Sequence, residues 1–381
     1  MDPWITAGAD QISARTEREL EALVAVSSPS SDVRGAEEAI AVVRAFLPEE
    51  AQSERIPCST PAFAPDLLAT VTGEGKGKLL LLGHIDTVVA HGGHRPMTFD
   101  GPRLGGSGTV DMKGGDVLAL GVLRVLAQEP QLFHTAALLL VCDEEWRSEP
   151  FAHVERFADY DACLCFEAGE RGSDGEEGVV VHRKAAGTVR VKATGVSAHS
   201  GSAPDRGANA LLALARVAVG VAAHHRPDGD QRLTVVPTVM RSGGAVNVVP
   251  AEGELMCDLR ADSLEAFDPV LADIPTEIDG VTLQAELMRR WPGMDTREAT
   301  APVLAAASQR LGRTIIGVGR GGASDASHLA TAVGLTVDGL GPRGGGAHTP
   351  GEFVLRSSLR ERAEVALAIV AEILAQGSSR G

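Results

Sequence analysis

Residues 78–82 read KLLLL, 136–141 AALLLV and 161–166 DACLCF, three short apolar runs that each stop at glycine or acid. A strand whose successive side chains are all apolar has two faces to hide, so each run fits only a sheet covered on both sides. Residues 314–318 and 335–337 have the same character. Residues 11–26, 35–47, 115–128 and 323–333 carry Ala, Leu and Val at helical spacing. Continuous strands alternating with helices predict an α/β class with helices on both faces of a sheet.

The middle of the chain has a different rhythm. Residues 188–193 alternate (TVRVKA), 208–225 form one long apolar helix, and 232–240 and 252–260 are strands. A short helix over 263–272 and a second alternating run over 281–288 follow. The order βαββαβ is the ferredoxin-like pattern, in which two helices cover one face of the sheet. The spacing thus predicts a domain of residues 187–296 inserted into an α/β domain built from 1–186 and 297–381. The glycine- and acid-rich stretch 171–178 is expected to be a loop before the junction.

Composition narrows the function. Against 35 Lys and Arg stand 51 Asp and Glu, giving a net charge of -16, and aromatics make up only 3%. Such a chain repels phosphate backbones and offers few stacking platforms, so nucleic acid is not an expected partner. No run approaches the roughly 18 apolar residues of a membrane span. Residues 1–16, MDPWITAGADQISART, lack the basic-then-apolar order of a signal peptide. The five cysteines, never spaced CxxC, read as buried reduced thiols. A cytoplasmic enzyme is the expectation.

His and acid residues fall where the strands end. His84 and Asp86 follow the first run in GHIDT, and residues two apart on extended backbone face the same side. Glu144 and Glu145 follow the second run, Glu167 the third, and His348 lies in GGGAHTPG after 335–337. Asp111, in LGGSGTVDMKGG, opens a helix. In open α/β sheets sites form beyond the carboxyl ends of strands, so these residues are expected at one edge. Imidazole and carboxylate without thiolate suit zinc, or manganese or cobalt. Five ligands exceed the needs of one catalytic zinc and match two metals about 3.5–4 Å apart sharing a carboxylate. Two divalent cations against three carboxylates leave one positive charge, which a hydroxide would cancel. One acid of the 144–145 pair is then free as a general base; spacing does not say which.

GHIDT, GSGTVDMKGG, CDEE, FEAGE and AHTPGE, in that order, resemble the motifs of the aminoacylase and acetylornithine deacetylase family. These are co-catalytic zinc exopeptidases and deacylases, glutamate carboxypeptidase and succinyl-diaminopimelate desuccinylase among them. The resemblance runs from about residue 77 to 355. It implies a zinc-exopeptidase-like α/β/α catalytic domain with a ferredoxin-like lid and dimerisation domain. It implies one zinc on His84, Asp111 and Glu167 and another on Asp111, Glu145 and His348, so that Asp111 bridges. Glu144 is then the general base, Asp86 the partner of His84, and a cis peptide follows Asp111. In GVSAHSGSAP, His199 would reach the partner subunit's active site and stabilise the oxyanion. Asn247 and Arg260 stand where the family binds substrate oxygens and a free α-carboxylate, for which an Arg fork is suited. Gly322 falls in a glycine-rich turn that lines the family's substrate cleft. The implied protein is a homodimer, joined through 187–296, acting on a small peptide or an N-acyl amino acid.

Two stretches depart from the family. Trp146-Arg147-Ser148-Glu149-Pro150 stands where small residues are usual, and its bulk and charge are expected to reshape the pocket rim. Residues 169–178 are longer and more acidic than the family's pattern. The remaining histidines (His91, His94, His134, His153, His182, His224, His225 and His328) read as surface or internally satisfied residues. Glu176 and Glu177 read as solvated, and Cys163 and Cys165 as core. Residues 317–322, GVGRGG, have the form of a dinucleotide fingerprint, but Asp325 in the following helical turn would repel a pyrophosphate. The expected activity is cleavage of an amide beside a free carboxylate, closest to the glutamate-carboxypeptidase branch. An N-acyl-amino-acid deacylase of the acetylornithine or succinyl-diaminopimelate type is the alternative. A non-hydrolytic metal-binding protein and a nicotinamide-dependent oxidoreductase are remoter ones.

Overall fold

The structure, a computed structural model, describes residues 2–147 and 149–379, the last three without their side chains. It divides into two compact units, one of Met1–His182, Asp295–Arg320 and Ser324–Gly381, the other of Arg183–Met294 and Gly321–Ala323.

The first unit is built on a six-stranded sheet in the order Gln52–Ile56, Asp66–Thr72, Thr135–Val141, Lys78–His84, Ala162–Cys165, Thr336–Val337. Asp66–Thr72 runs antiparallel to both its neighbours, and the last four strands are mutually parallel. Leu79 to Leu82 and Ala136 to Val141 are fully buried, which is why these runs carry no polar alternation. The helix Gly114–Ala127 is buried along its whole length, against these strands and the helices Pro3–Val24 and Arg356–Ser379. Register aligns the strand ends: His84 pairs with Val141, and Leu82 with Cys165. Glu167, two residues past Cys165, therefore emerges level with His84. A Cβ on Gly115 would lie 1.8 Å from the Phe166 carbonyl oxygen, so this glycine lets the helix after Asp111 press against the Glu167 strand end.

The second unit is the βαββαβ fold. Its antiparallel sheet runs Thr234–Ser242, Glu252–Ala261, Ala185–Thr194, Val281–Trp291, with a short fifth strand, Glu277–Ile278, at the edge. The helix Ala210–Ala222 and the short helix Asp268–Ala272 bury Leu214, Val217 and Val270 in one core with Val189, Val191 and Leu259. Among the described residues no helix is long and apolar enough to cross a membrane. All five cysteines are buried free thiols.

Four local expectations are corrected. Ile315–Arg320 does not join the six-stranded sheet; it lies beside Glu177–Arg183 in a smaller sheet, and its residues alternate in exposure. The stretch expected as a loop holds the short pair Glu170–Arg171 and Glu177–Arg183. The helix expected over 323–333 shrinks to Asp325–Leu329, capped by Ser324. Glu177 is buried rather than solvated, because Arg343 Nη1 (2.6 Å) and Arg362 Nη1 (3.1 Å) donate to its Oε2. Arg362 is itself fully buried and also donates to the carbonyls of Gly339 (2.5 Å) and Gly341 (3.2 Å). Glu177→Gln would leave the fully buried Arg362 guanidinium without its counter-charge, while Arg343 keeps Glu361. It is expected to destabilise the fold by about 3 kcal/mol, read from the urea midpoint.

Candidate metal centre

His84 is the last residue of its strand and is buried. Its Nδ1 lies 3.0 Å from the Asp86 carbonyl oxygen, a contact only an N–H can satisfy, so Nε2 carries the lone pair in the neutral ring. That Nε2 faces two acceptors, Asp111 Oδ1 at 3.2 Å and Glu167 Oε1 at 3.6 Å. Asp111 sits in a non-helical kink after Gly108 (φ 77°), and its peptide bond to Met112 is cis. Its second oxygen, Oδ2, lies 3.0 Å from His348 Nε2, which in turn is 3.3 Å from Glu145 Oε2. His348 adopts a left-handed φ of 63° in its loop.

Two sets of three potential ligands result, His84 with Asp111 and Glu167, and Asp111 with Glu145 and His348. Each oxygen of Asp111 serves a different set. The donors fit a pair of divalent cations. Bonds of about 2.1 Å at tetrahedral angles put ligand atoms roughly 3.4 Å apart, and the four spacings scatter around that value. Lone pairs converging on acceptors need a cation between them, either protons or metals. Glu145 Oε1 is buried with no hydrogen-bond partner among the described residues, so one interior acceptor is left for such an ion to meet.

Electrostatics follow from this crowding. Asp111 and Glu145 raise the His348 imidazole to about 10, despite its partial burial. Burial works against a charged His84, yet hydrogen bonds to Asp111 and Asp86 hold its pKa well above the ordinary value. Glu144 belongs to neither ligand set. Burial pushes its carboxyl well above the usual range; His84 opposes the shift, and Asp325, Glu167 and Glu145 add to it.

Asp86 does more than touch His84. Its Oδ1 accepts from the Glu144 N–H (3.1 Å), and its Oδ2 from the Glu145 N–H (3.2 Å) and the Ser30 hydroxyl (2.5 Å). One carboxylate thus fixes the turn that presents both glutamates. Glu352, quoted in the AHTPGE motif but given no role there, is buried and accepts the N–H groups of Gly108, Val110 and Asp111 at 2.8, 2.9 and 3.0 Å. It holds the Asp111 kink from the loop that carries His348. Nothing in the sequence near Ser30 signals its part, since it lies 56 positions from Asp86.

The other candidates belong to the second unit. His199 is exposed, and its Nδ1 accepts from the N–H groups of Gly201 (3.1 Å) and Ser202 (3.2 Å). That fixes the tautomer with Nε2–H as a donor. Asn247 is exposed on the segment that pairs with His199; its carbonyl accepts from Ser200 N at 3.0 Å, and His199 bridges to Val248. Arg260 is half-buried and turns its Nε and Nη2 to Asp258, both at 3.1 Å. The Gly322 carbonyl accepts from Arg183 Nη1 at 2.8 Å. Trp146 is 60% exposed and Glu149 is exposed, whereas Arg147 is buried, so of the two extra charges expected at the surface there Arg147 is not one. Ser148 lies outside the described residues.

Comparison with known proteins adds to this geometry. The sequence model of peptidase family M20/M25/M40 matches residues 80–372. Carboxypeptidase G2 from Pseudomonas sp. (strain RS-16) is 25% identical over 376 residues, covering 93% of this chain and 88% of that protein. A [LysW]-lysine/[LysW]-ornithine hydrolase from Sulfurisphaera tokodaii is 28% identical over 204 residues, 53% of this chain and 54% of the relative. Among solved structures, an M20 family metallo-carboxypeptidase from Sulfolobus solfataricus superposes with a TM-score of 0.73 at 14% identity, covering 94% of this chain and 99% of that one. An aminopeptidase from Bacillus cereus gives 0.71 at 20% identity, with 95% and 98% covered. At such identities the structural likeness speaks for the fold.

Proposed function

Since the chain belongs to peptidase family M20/M25/M40 and is a metal-dependent hydrolase of amide bonds, we propose that it is a dizinc carboxypeptidase that releases an amino acid bearing a free α-carboxylate. One observation carries this reading. The two oxygens of Asp111 face different imidazoles, and buried Glu144 stands beside both ligand sets without joining either. The sites proposed for the metals are His84, Asp111 and Glu167 for one, and Asp111, Glu145 and His348 for the other. A bound pair of zinc ions would polarise the scissile carbonyl and lower the pKa of the attacking water.

The chain's own residues do the rest. Glu144 takes the proton of the attacking water and passes it to the leaving amine; its burial and acidic neighbours favour the protonated form it must reach between those steps. Asp86 keeps Glu144 and His84 in register: its carboxylate accepts from the Glu144 N–H, and its carbonyl oxygen accepts from His84 Nδ1–H. His199, with Nε2–H as donor, suits the developing oxyanion of the partner subunit, which makes the protein a homodimer in this reading. Arg260 has its Nη1 end unengaged among the described residues and is proposed to receive the substrate carboxylate, with Asn247 and Gly322 lining the cleft. The reduced cysteines support a cytoplasmic location.

The 25% identity to carboxypeptidase G2 supports the carboxypeptidase reading. An N-acyl-amino-acid deacylase is the second reading, supported by the likeness to the LysW-lysine hydrolase. Zinc-loaded protein assayed against dipeptides and N-acyl amino acids, each paired with its methyl ester, separates the two. Equal cleavage of acid and ester would remove carboxylate recognition from either reading. Arg260→Leu is expected to lower kcat/KM by about 10–100-fold through KM, the worth of a hydrogen-bonded charge, with zinc content unchanged.

A further inference from the structure

The Arg147 guanidinium is fully buried two positions after a proposed metal ligand. A cation is not taken out of water there without partners, and two carboxylates from separate parts of the chain are among them. Nε and Nη2 donate to Asp143 Oδ1 at 3.0 and 2.7 Å, and Nη2 also donates to Asp325 Oδ2 at 2.9 Å. Nη1 donates to Asp325 Oδ1. The guanidinium also lies over the Phe151 ring, 4.7 Å from its centroid.

Asp143 immediately precedes Glu144. Its other oxygen accepts from the N–H (2.9 Å) and hydroxyl (2.7 Å) of Thr60, so it is held from both sides. Asp325 opens the Asp325–Leu329 helix behind Ser324, whose hydroxyl accepts from Ala326 N at 3.2 Å and lies 3.7 Å from Cys165 Sγ, close to Glu167 in the chain. Asp86 grips the turn by its backbone, and Arg147 ties the side chain beside Glu144 to a second, rigid element. A fork with two-point contacts restrains rotation where a single contact would not.

We propose that Arg147 is a positioning residue for Glu144: by clamping Asp143 to Asp325 it holds the turn so that the Glu144 carboxylate keeps one orientation toward the metal centre. This rests on the reading of Glu144 as the general base. Arg147 touches no substrate; it acts through the geometry of its neighbour.

The test compares kcat, KM, zinc content and melting temperature of the full-length zinc-loaded protein for Arg147→Lys, Asp325→Asn and Glu144→Gln. Lysine keeps the charge but loses the fork. Arg147→Lys is expected to lower kcat by about 10–100-fold, the scale of an ångström-sized misplacement, with KM and zinc content within about twofold of wild type. A folded Arg147→Lys with kcat within about twofold of wild type overturns the proposal. Should that variant fail to fold, Asp325→Asn carries the test, since it preserves shape and leaves Arg147 held by Asp143. An unchanged kcat in Asp325→Asn overturns the proposal equally. In a Glu144→Gln background Arg147→Lys is expected to add less than about twofold, because residues acting as one unit are not additive. A further tenfold loss there would mean that Arg147 works elsewhere. Full activity in Glu144→Gln alone defeats the general-base reading; an inactive Glu144→Gln beside an undiminished Arg147→Lys defeats only the present inference.

Discussion

Glu144→Gln is expected to lower kcat by roughly 10²–10⁴-fold, the usual contribution of a general base, while zinc content and KM stay near wild type. The expectation follows from the separation of roles at the strand end. Glu145 turns its carboxylate to His348, 3.3 Å away, and shares a ligand set with Asp111. Glu144 is buried, belongs to neither set, and its backbone N–H is held by Asp86. Glutamine has nearly the same volume, so packing survives, but an amide can neither take a proton from water nor return one to the leaving amine. Elemental analysis beside steady-state kinetics checks both halves. Normal turnover would strip Glu144 of its role, whereas lost zinc would move it into the ligand shell.

Much of this arrangement was legible because burial leaves marks in sequence. Runs such as KLLLL and AALLLV have no polar side, so a covered sheet was the only home for them, and the residues just past their ends had to share one edge. The alternating strands of residues 185–291 announced their half-exposed sheet in the same way. What was not legible depends on partners far apart in the chain. Glu144 and Glu145 follow the same strand and look alike; the two oxygens of Asp86, 58 and 59 positions away, set how each is presented. Glu177 sits among glycines and acids that read as solvent-facing. Its partners Arg343 and Arg362 lie 166 and 185 positions later, and no local pattern reports them. Missing the Glu177–Arg183 strand in turn hid the small sheet that receives Ile315–Arg320. Glu352 was visible within a motif, yet only the fold brings it under the Gly108 to Asp111 turn.

Stripping the protein with a chelator is expected to abolish turnover, and restoring zinc to recover it with release of protons. Without metal the two imidazoles satisfy their acidic neighbours by holding protons: His348 keeps its proton up to about pH 10, and His84 is shifted in the same direction. A cation entering either set must displace that proton, so affinity should rise with pH through the neutral and alkaline range. The sign for stability is the reverse. A pKa raised from about 6.5 in the unfolded chain to about 10 in the fold gives stabilisation that is complete below pH 6.5 and lost as pH climbs toward 10. The metal-free protein should therefore weaken over the same interval in which the zinc-loaded protein, its imidazoles already coordinated, does not. Free zinc at 100 times its dissociation constant should add about 2.7 kcal/mol per site, seen as a higher melting temperature. Calorimetric titration at pH 7.5 in two buffers of different ionisation enthalpy measures the proton count directly. Protons should be released in wild type and fewer in His348→Ala. Zinc uptake with no proton release would mean that these imidazoles are not the ligands, and the dinuclear centre would have to be sought on other side chains.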